Sequence, residues 1–296
     1  MAAVPGLETV HWLEVYGASG SVPVVRAGVC EGGAVGALVL ARPAARNAWD
    51  GAMWAQWDAA VAALRALDSV RVVVLCAEGP AFTGGLDLGY LAATLGRHTA
   101  GGSDPARARA RFLREIAAMQ AAYSALEAAP WPVIAAVHGA CVGAGVDLVT
   151  ACDLRYATRD AYFCVKEVDV GITADLGTLQ RLPAIVGQGA AADMALTARR
   201  VSGEEAAALG LVSRCFAGRA EMMEAVLGVA RDIAAKSPLA VWGTKRTLLR
   251  ARDGGSGVAD GLDRVALHNA AFLLGADIRE TVAARSERRP PRFSKL

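Results

Sequence analysis

Paired cysteines are missing. The six present, Cys30, Cys76, Cys141, Cys152, Cys164 and Cys215, form no CxxC pair, and most lie in apolar runs, as reduced core thiols do. Histidine is scarce, four in 296 residues, and with the cysteines so dispersed no zinc ligand set can be assembled. An excess of one charge sign is missing too. Lys plus Arg number 31 and Asp plus Glu 29, a net charge of +2, which argues against a dominant nucleic-acid-binding field. No stretch approaches the roughly 20 uninterrupted apolar residues of a membrane span. The opening MAAVPGLETVHWLEVYG carries neither the apolar core of a secretion signal nor the Arg-rich pattern of a transit peptide. No internal repeat returns at a fixed period.

What is present is an apolar chain, 54% hydrophobic and 20% charged, long enough for one large domain or two small ones around a sizeable core. Residues 24–29 and 34–40 read as a hairpin closed around Gly32-Gly33. Residues 50–67 read as a helix, with Met53, Trp57, Val61 and Leu64 on one stripe. Residues 72–76 and 132–137 are continuous apolar strands. Between them 111–128 is helical, with Phe112, Ile116, Met119, Tyr123 and Leu126 three and four apart, and Pro130 and Pro132 end it. Tyr156 and residues 162–165 flank a turn at Thr158-Arg159-Asp160. Alternating strands and helices imply an α/β core with buried sheets. From Gly177 onward the chain reads as nearly all helical, with a capping box at Ser202-x-x-Glu205 stopped by Gly210, and helices at 220–235, 238–250 and 261–274. Residues 99–106 are the most loop-like interior stretch, and 286–296 form a polar tail. The tail closes on Ser294-Lys295-Leu296, a peroxisomal address when it is the free end of a chain.

Three segments carry chemistry. The first, Gly79-Pro80-Ala81-Phe82-Thr83-Gly84-Gly85-Leu86-Asp87-Leu88, follows a strand, and its glycine pair lets a backbone pass close to a ligand; it reads equally as a tight turn into a helix capped by Asp87. The second, Val137-His138-Gly139-Ala140-Cys141-Val142-Gly143-Ala144-Gly145-Val146-Asp147-Leu148, runs from a strand through a small-residue turn into a helix. The free N–H groups at that helix start can hold a developing oxyanion, and close helix–sheet packing would demand the same residues. The third, residues 165–177, sets Glu167 and Asp175 in a largely apolar loop. Asp175 reads equally as a helix N-cap, and Glu167 as half of a surface ion pair with Lys166 or an arginine. Asp153 reads as structural, paired with Arg155 or another arginine, and His138 as a strand-end residue. Cys141 has no evident base to activate it. Arg107, Arg109, Arg111 and Arg114 read as a solvated helix entrance rather than an RNA-binding patch.

In order and spacing the three segments resemble the crotonase (enoyl-CoA hydratase/isomerase) superfamily, from Arg42-Pro43-x-x-x-Asn47-Ala48 to the tail. GVDLVTACDLRY followed by VKEVDVGITADLGTLQRLP is similar to its dienoyl-CoA isomerases in particular. The resemblance implies a spiral of repeated strand-strand-helix units over residues 1–200, holding a coenzyme A thioester site, and a helical oligomerisation region with the tail over 201–296. It implies Asp147, Glu167 and Asp175 as the catalytic acids, where hydratases have Glu for Asp147 and lack the acid at 175. It implies the backbone N–H groups of Leu86 and Ala144 as the oxyanion donors, and a thioester and CoA surface at Asn47, Ala48, Gly84, Gly85, Leu86, Asp87, Leu88 and Ala144. Ala144 departs from the common glycine and narrows the pocket. No cofactor or metal is expected, coenzyme A being part of the substrate. The expected partners are an acyl-CoA substrate, further copies of the chain in a homotrimer or homohexamer, and the peroxisomal import receptor, with neither nucleic acid nor a membrane span. An enoyl-CoA hydratase or a Δ3-Δ2-enoyl-CoA isomerase is the alternative on the same scaffold.

Overall fold

In a computed structural model the chain is described at residues 4–14, 22–99, 104–254 and 257–295. Part of the N-terminal opening, part of the loop-like stretch (100–103) and Leu296 of the terminal tripeptide lie outside the described residues.

The chain enters through β1 (His11–Trp12) and the hairpin of β2 (Val25–Cys30) and β3 (Val35–Leu40), whose tight turn places Gly32 and Gly33 at φ 65° and 91°. Helix α1 (Gly51–Arg65) starts on Asp50, whose carboxylate accepts from the Met53 N–H at 2.9 Å. Its residues Met53, Trp57, Val61 and Leu64 are buried, as their spacing requires. Strand β4 (Val72–Ala77) leads to α2 (Leu88–Thr99) and α3 (Pro105–Ala128), then β5 (Val133–Val137). Helix α3 begins six residues ahead of the sequence expectation, because Asp104 caps it by accepting from the Ala106 and Arg107 N–H groups and Pro105 fits the first turn. There follow β6 (Ala140–Val142), α4 (Ala144–Thr150), β7 (Leu154–Thr158) and β8 (Tyr162–Cys164). The remainder comprises α5 (Thr178–Val186), α6 (Gln188–Thr197), β9 (Val201–Ser202), α7 (Gly203–Ala208), β10 (Arg214–Phe216), α8 (Arg219–Ala234), α9 (Pro238–Arg252), α10 (Val258–Phe272) and α11 (Ala276–Ser286).

Among the described residues seven strands form one sheet in the order β1-β2-β3-β4-β5-β7-β10, parallel from β3 onward, and three form a second, β6-β8-β9. The parallel strands β4 and β5 are buried at every position, which is why they read as unbroken apolar runs. One face of the large sheet carries the cluster of Leu38, Leu75 and Ala135 with Trp49, Trp57 and Tyr123. The other packs Val39, Val74 and Ile134 against Met222, Met223 and Val226 of α8. The region after Gly177 is thus less uniformly helical than the sequence suggests: β9 and β10 interrupt it, and β10 extends the main sheet alongside β7. The Ser202 hydroxyl accepts from the Glu205 N–H at 3.2 Å, while the Glu205 carboxylate pairs with Arg199, so the capping box is half formed. Among the described residues no helix is long and apolar enough to cross a membrane.

Candidate active site

The strand β4 delivers the chain to residues 78–88, and a buried asparagine fixes their path. The Asn47 amide donates to the Glu78 and Ala81 carbonyls at 2.9 and 2.8 Å and accepts from the Arg42 N–H at 2.8 Å. The Thr83 hydroxyl donates to the Asn47 carbonyl at 2.6 Å and accepts from the Gly85 N–H at 3.2 Å. Trp49 then bridges the segment: its N–H donates to the Gly85 carbonyl and its carbonyl accepts from the Asp87 N–H. Leu86, between those two bonds, has an N–H with no acceptor among the described residues. Asp87 caps α2 by accepting from the Gly89 and Tyr90 N–H groups and pairs with Arg42 at 2.9 Å, which also draws on the Ala48 carbonyl. Those contacts, Arg42 first, hold the Asp87 carboxyl below its usual range. Gly84 and Leu88 are exposed. The Asn47 side chain is wholly engaged in the turn, so what this stretch offers a ligand is backbone.

The second segment packs directly on the first. The Thr83 N–H donates to the Ala140 carbonyl, and the Val142 N–H to the Thr83 carbonyl. A Cβ on Gly85, at φ 88°, would stand 2.7 Å from the Val142 carbonyl oxygen and 3.8 Å from the Ala144 nitrogen. Only a glycine permits this approach, and it sets Leu86 beside the start of α4. Gly143, at φ 54°, turns the chain into that helix; Ala144 is its first residue, with an N–H that no acceptor takes among the described residues. Two free N–H groups from two segments are therefore neighbours, one of them at a helix N-terminus, the arrangement that stabilises an oxyanion.

The acids gather at the same place. Asp147 lies one turn into α4 and is 1% exposed. Its Oδ1 accepts from the Thr178 N–H at 2.6 Å, the first residue of α5. Glu167, 8% exposed, opens the turn Glu167–Val170, and its Oε1 lies 3.5 Å from where a Cβ on Gly143 would be. Its Oε2 is buried with no partner among the described residues. The ion-pair reading of Glu167 is thereby corrected, since Lys166 pairs with Asp169 instead. Burial pushes the Glu167 carboxyl up to about 7, helped by the negative charges of Asp147 and Asp175. Burial likewise pushes Asp147 up to about 6, with the Thr178 N–H pulling the other way. Asp175 is half-buried, and burial raises it too. It is not the helix cap: α5 starts on Gly177, and the carboxylate that takes an N–H of its first turn is that of Asp147. The three acids named from the sequence thus lie within one another's electrostatic reach, and none of them has an arginine or lysine salt-bridge partner among the described residues.

Sequence reading missed what holds Asp175. The Gln120 amide on α3 donates to the Asp175 carbonyl at 2.6 Å. The Arg181 guanidinium donates to the Leu176 carbonyl at 3.1 Å and to Ser124, and pairs with Glu127 at 2.7 Å. Loop 175–177 is clamped to α3 from both sides. An arginine set beside Leu182 and Pro183 in TLQRLP was the available signal. Asp153 is structural as expected, but its partners are Lys245 at 2.8 Å and the Val133 N–H at 2.8 Å, not an arginine. His138 is 5% exposed and bonds the Gly79 carbonyl at 2.9 Å, and burial lowers its pKa. Burial raises the Cys141 thiol well above its ordinary range. The four arginines at the head of α3 are exposed.

Known proteins resemble this chain over most of its length. The enoyl-CoA hydratase/isomerase family pattern matches residues 31–295. The peroxisomal Δ(3,5)-Δ(2,4)-dienoyl-CoA isomerase of Arabidopsis thaliana is 47% identical over 259 residues, covering 88% of this chain and 92% of that one. The mitochondrial Δ(3,5)-Δ(2,4)-dienoyl-CoA isomerase of Homo sapiens is 43% identical over 262 residues, 87% of this chain and 78% of its own. Among solved structures, an enoyl-CoA hydratase of Mycobacterium smegmatis superposes with a TM-score of 0.78 at 31% identity, covering 92% of this chain and 99% of its own. The chain belongs to the enoyl-CoA hydratase/isomerase family, the crotonase superfamily.

Proposed function

We propose that this protein is a Δ3,5-Δ2,4-dienoyl-CoA isomerase, acting on acyl-CoA thioesters in the β-oxidation of unsaturated fatty acids. The observation that carries this is a third acid, the half-buried Asp175, set beside the buried Asp147–Glu167 pair and free of the capping role that would otherwise account for it. The names of the Arabidopsis and human relatives support the same reading.

The reaction removes a proton from carbon 2 of a 3,5-dienoyl thioester and returns one at carbon 6. Glu167 is the base at carbon 2: with a pKa of about 7 it is poised to accept a proton at neutral pH. The electron pair moves onto the thioester oxygen and along the diene, and the N–H groups of Leu86 and Ala144 hold the oxyanion, each such donor contributing about 3–4 kcal/mol. Asp175 delivers the proton at carbon 6, and its raised pKa keeps the acid form accessible. Asp147 supports both through its charge while anchored to Thr178. Because the net change only moves a proton, the mechanism calls for no metal, flavin or nicotinamide. A hydratase must hold a water between two free carboxylates, and one oxygen of Asp147 is already committed to the α5 N-terminus.

The assembly we propose is a homotrimer or a dimer of trimers built through the C-terminal helices, with no nucleic-acid partner. For location we favour the peroxisome, reached through an import receptor that reads Ser294-Lys295-Leu296 where it is the free end; the Arabidopsis relative is named peroxisomal and the human one mitochondrial.

The test is Asp175→Asn. Dienoyl isomerisation, followed by the ultraviolet absorbance of the conjugated product, should fall on the order of 10²–10⁴-fold. Exchange of the carbon-2 proton with deuterated solvent should persist, since that step needs only Glu167 and the oxyanion donors. Normal turnover in the variant would end the assignment.

A further inference from the structure

Tyr123 on α3 is fully buried, and its hydroxyl has no hydrogen-bond partner among the described residues. A buried phenol without an acceptor is uncommon, because the group gives up its bonds to water on folding. Packing accounts for the ring. It stands edge-on to Trp49 at 5.1 Å and to Trp57 at 6.2 Å, and tilted to Trp54 at 5.2 Å. Packing does not account for the oxygen, since a phenylalanine would fill the same aromatic box.

The box adjoins the site. Trp49 is the residue whose backbone brackets Leu86, and Tyr123 shares one core cluster with Cys141, Ala144 and Val146 at the start of α4. The negative groups close enough to Tyr123 to resist its ionisation are, in order, Asp147, Cys141 and Glu167. One of these, Glu167, carries the complementary defect: its Oε2 is a buried acceptor with no donor among the described residues. An unmatched donor and an unmatched acceptor thus face the same small group of acids, farther apart than a direct hydrogen bond.

We propose that Tyr123 is a positioning residue of this active site, whose hydroxyl donates to the ionised Glu167 carboxylate, directly or through one water, when substrate is bound. This rests on Glu167 being the base. The groups facing Glu167 are Asp147 on α4, Asp175 in the loop before α5 and Tyr123 on α3, with Lys166 beside it occupied by Asp169. Arg181 bears on the cluster through Asp147. Of these, Tyr123 is the donor that stays neutral whatever the protonation of the two aspartic acids, one of which, Asp147, also shares a side-chain hydrogen bond with Glu167. Burial lifts its own ionisation well above the usual tyrosine range, so it keeps its proton wherever the enzyme works. A donated hydrogen bond favours the charged carboxylate, so Tyr123 counters the burial and like charges that hold Glu167 protonated. It also fixes which carboxylate oxygen turns to carbon 2.

Tyr123→Phe tests this, since it keeps the ring and removes only the oxygen. The acid limb of kcat/KM against pH should move up by about one unit, equivalent to about tenfold less activity below the limb. The turnover number should fall while KM for the CoA ester stays within about twofold. Melting should be unchanged or slightly higher, because an unmatched buried hydroxyl is removed. An unmoved pH limb with wild-type turnover would overturn the proposal and leave Tyr123 as a core residue. Glu167→Gln, run alongside, separates the two claims. If it retains carbon-2 exchange, the base assignment itself has failed; if it abolishes exchange while Tyr123→Phe leaves the pH limb in place, only the role of Tyr123 has.

Discussion

Glu167 destabilises the fold, and the cost has a pH signature. Its carboxyl is 8% exposed, one oxygen has no partner among the described residues, and burial followed by the charge of Asp147 moves its pKa from 4.5 to about 7. The folded chain therefore keeps this proton after the unfolded chain has released it. Its contribution to stability is whole below the unfolded value of 4.5 and is lost as pH rises through about 7. At about 1.4 kcal/mol per pKa unit, the ionised carboxylate costs on the order of 3 kcal/mol at alkaline pH. Asp147 shares that cost, so relieving one acid relieves the other, and the two contributions do not separate cleanly. Glu167→Gln keeps the shape and removes the ionisation. Urea unfolding should find the variant more stable than wild type by about 2–3 kcal/mol near pH 8, and within about 0.5 kcal/mol near pH 4, where wild type carries the proton. The gap should open between those values in step with the acid limb of activity. Equal stability near pH 8 would refute the burial argument whatever happened to turnover.

Asp147 serves two purposes that a pair of variants can divide. Asp147→Asn retains an oxygen for the Thr178 N–H and removes the buried charge, so it should be at least as stable as wild type while losing turnover; Asp147→Ala strands that buried N–H and should be about 1–3 kcal/mol less stable than Asp147→Asn, read by the same unfolding assay. If both variants unfold alike, the bond to α5 contributes nothing. The C-terminal helices leave Leu248, Leu262, Leu267, Leu273, Leu274 and Val282 more than half exposed, surface that a further copy of the chain would cover. Sedimentation at micromolar concentration should therefore find trimers or hexamers, and a monomer alone would sink the proposed assembly.

The parts legible in the sequence are those where one period or one residue type dominates. The buried strands Val72–Ala77 and Val133–Val137 are unbroken apolar runs, and the stripe of α1 repeats at three and four. Boundaries set by polar detail were less visible. Helix α3 starts at Pro105 because of one capping aspartate. Strand β10 is three residues long, too short for any period to show, and it exists because β7 offers it a parallel edge. Helix α11, ADIRETVAARS, buries only Ala284 and so carries no apolar stripe to read. In the site, the acids stand out by type and spacing, whereas the choice between cap and acid at Asp175 depended on where α5 begins. That was set by Gly177, whose φ of 124° suits no other residue, and by Arg181 folding back over it. Tyr123 was visible only as one member of a helical stripe, since no periodicity distinguishes a hydroxyl at a site from a ring in a core.

The spacing of Ala144 and Asp147 shows why so short a motif can say so much. Residues three apart on a helix share a face, so α4 presents the proposed oxyanion donor and an acid as one rigid unit. The helix is seven residues long and buried throughout, leaving it little freedom to shift either group alone. Its N-terminus is held against Gly85, and Asp147 ties it to α5. Through Arg181, which holds the Leu176 carbonyl and bonds Ser124 and Glu127, that second connection reaches α3, which carries Tyr123 and holds the Asp175 carbonyl through Gln120. The proposed donor, the Ala144 N–H, and the acid proposed for the far end of the diene, Asp175, are therefore linked by one continuous path of hydrogen bonds and packed side chains. A proton moved between carbons 2 and 6 requires two groups at a set separation, and this path is what sets it.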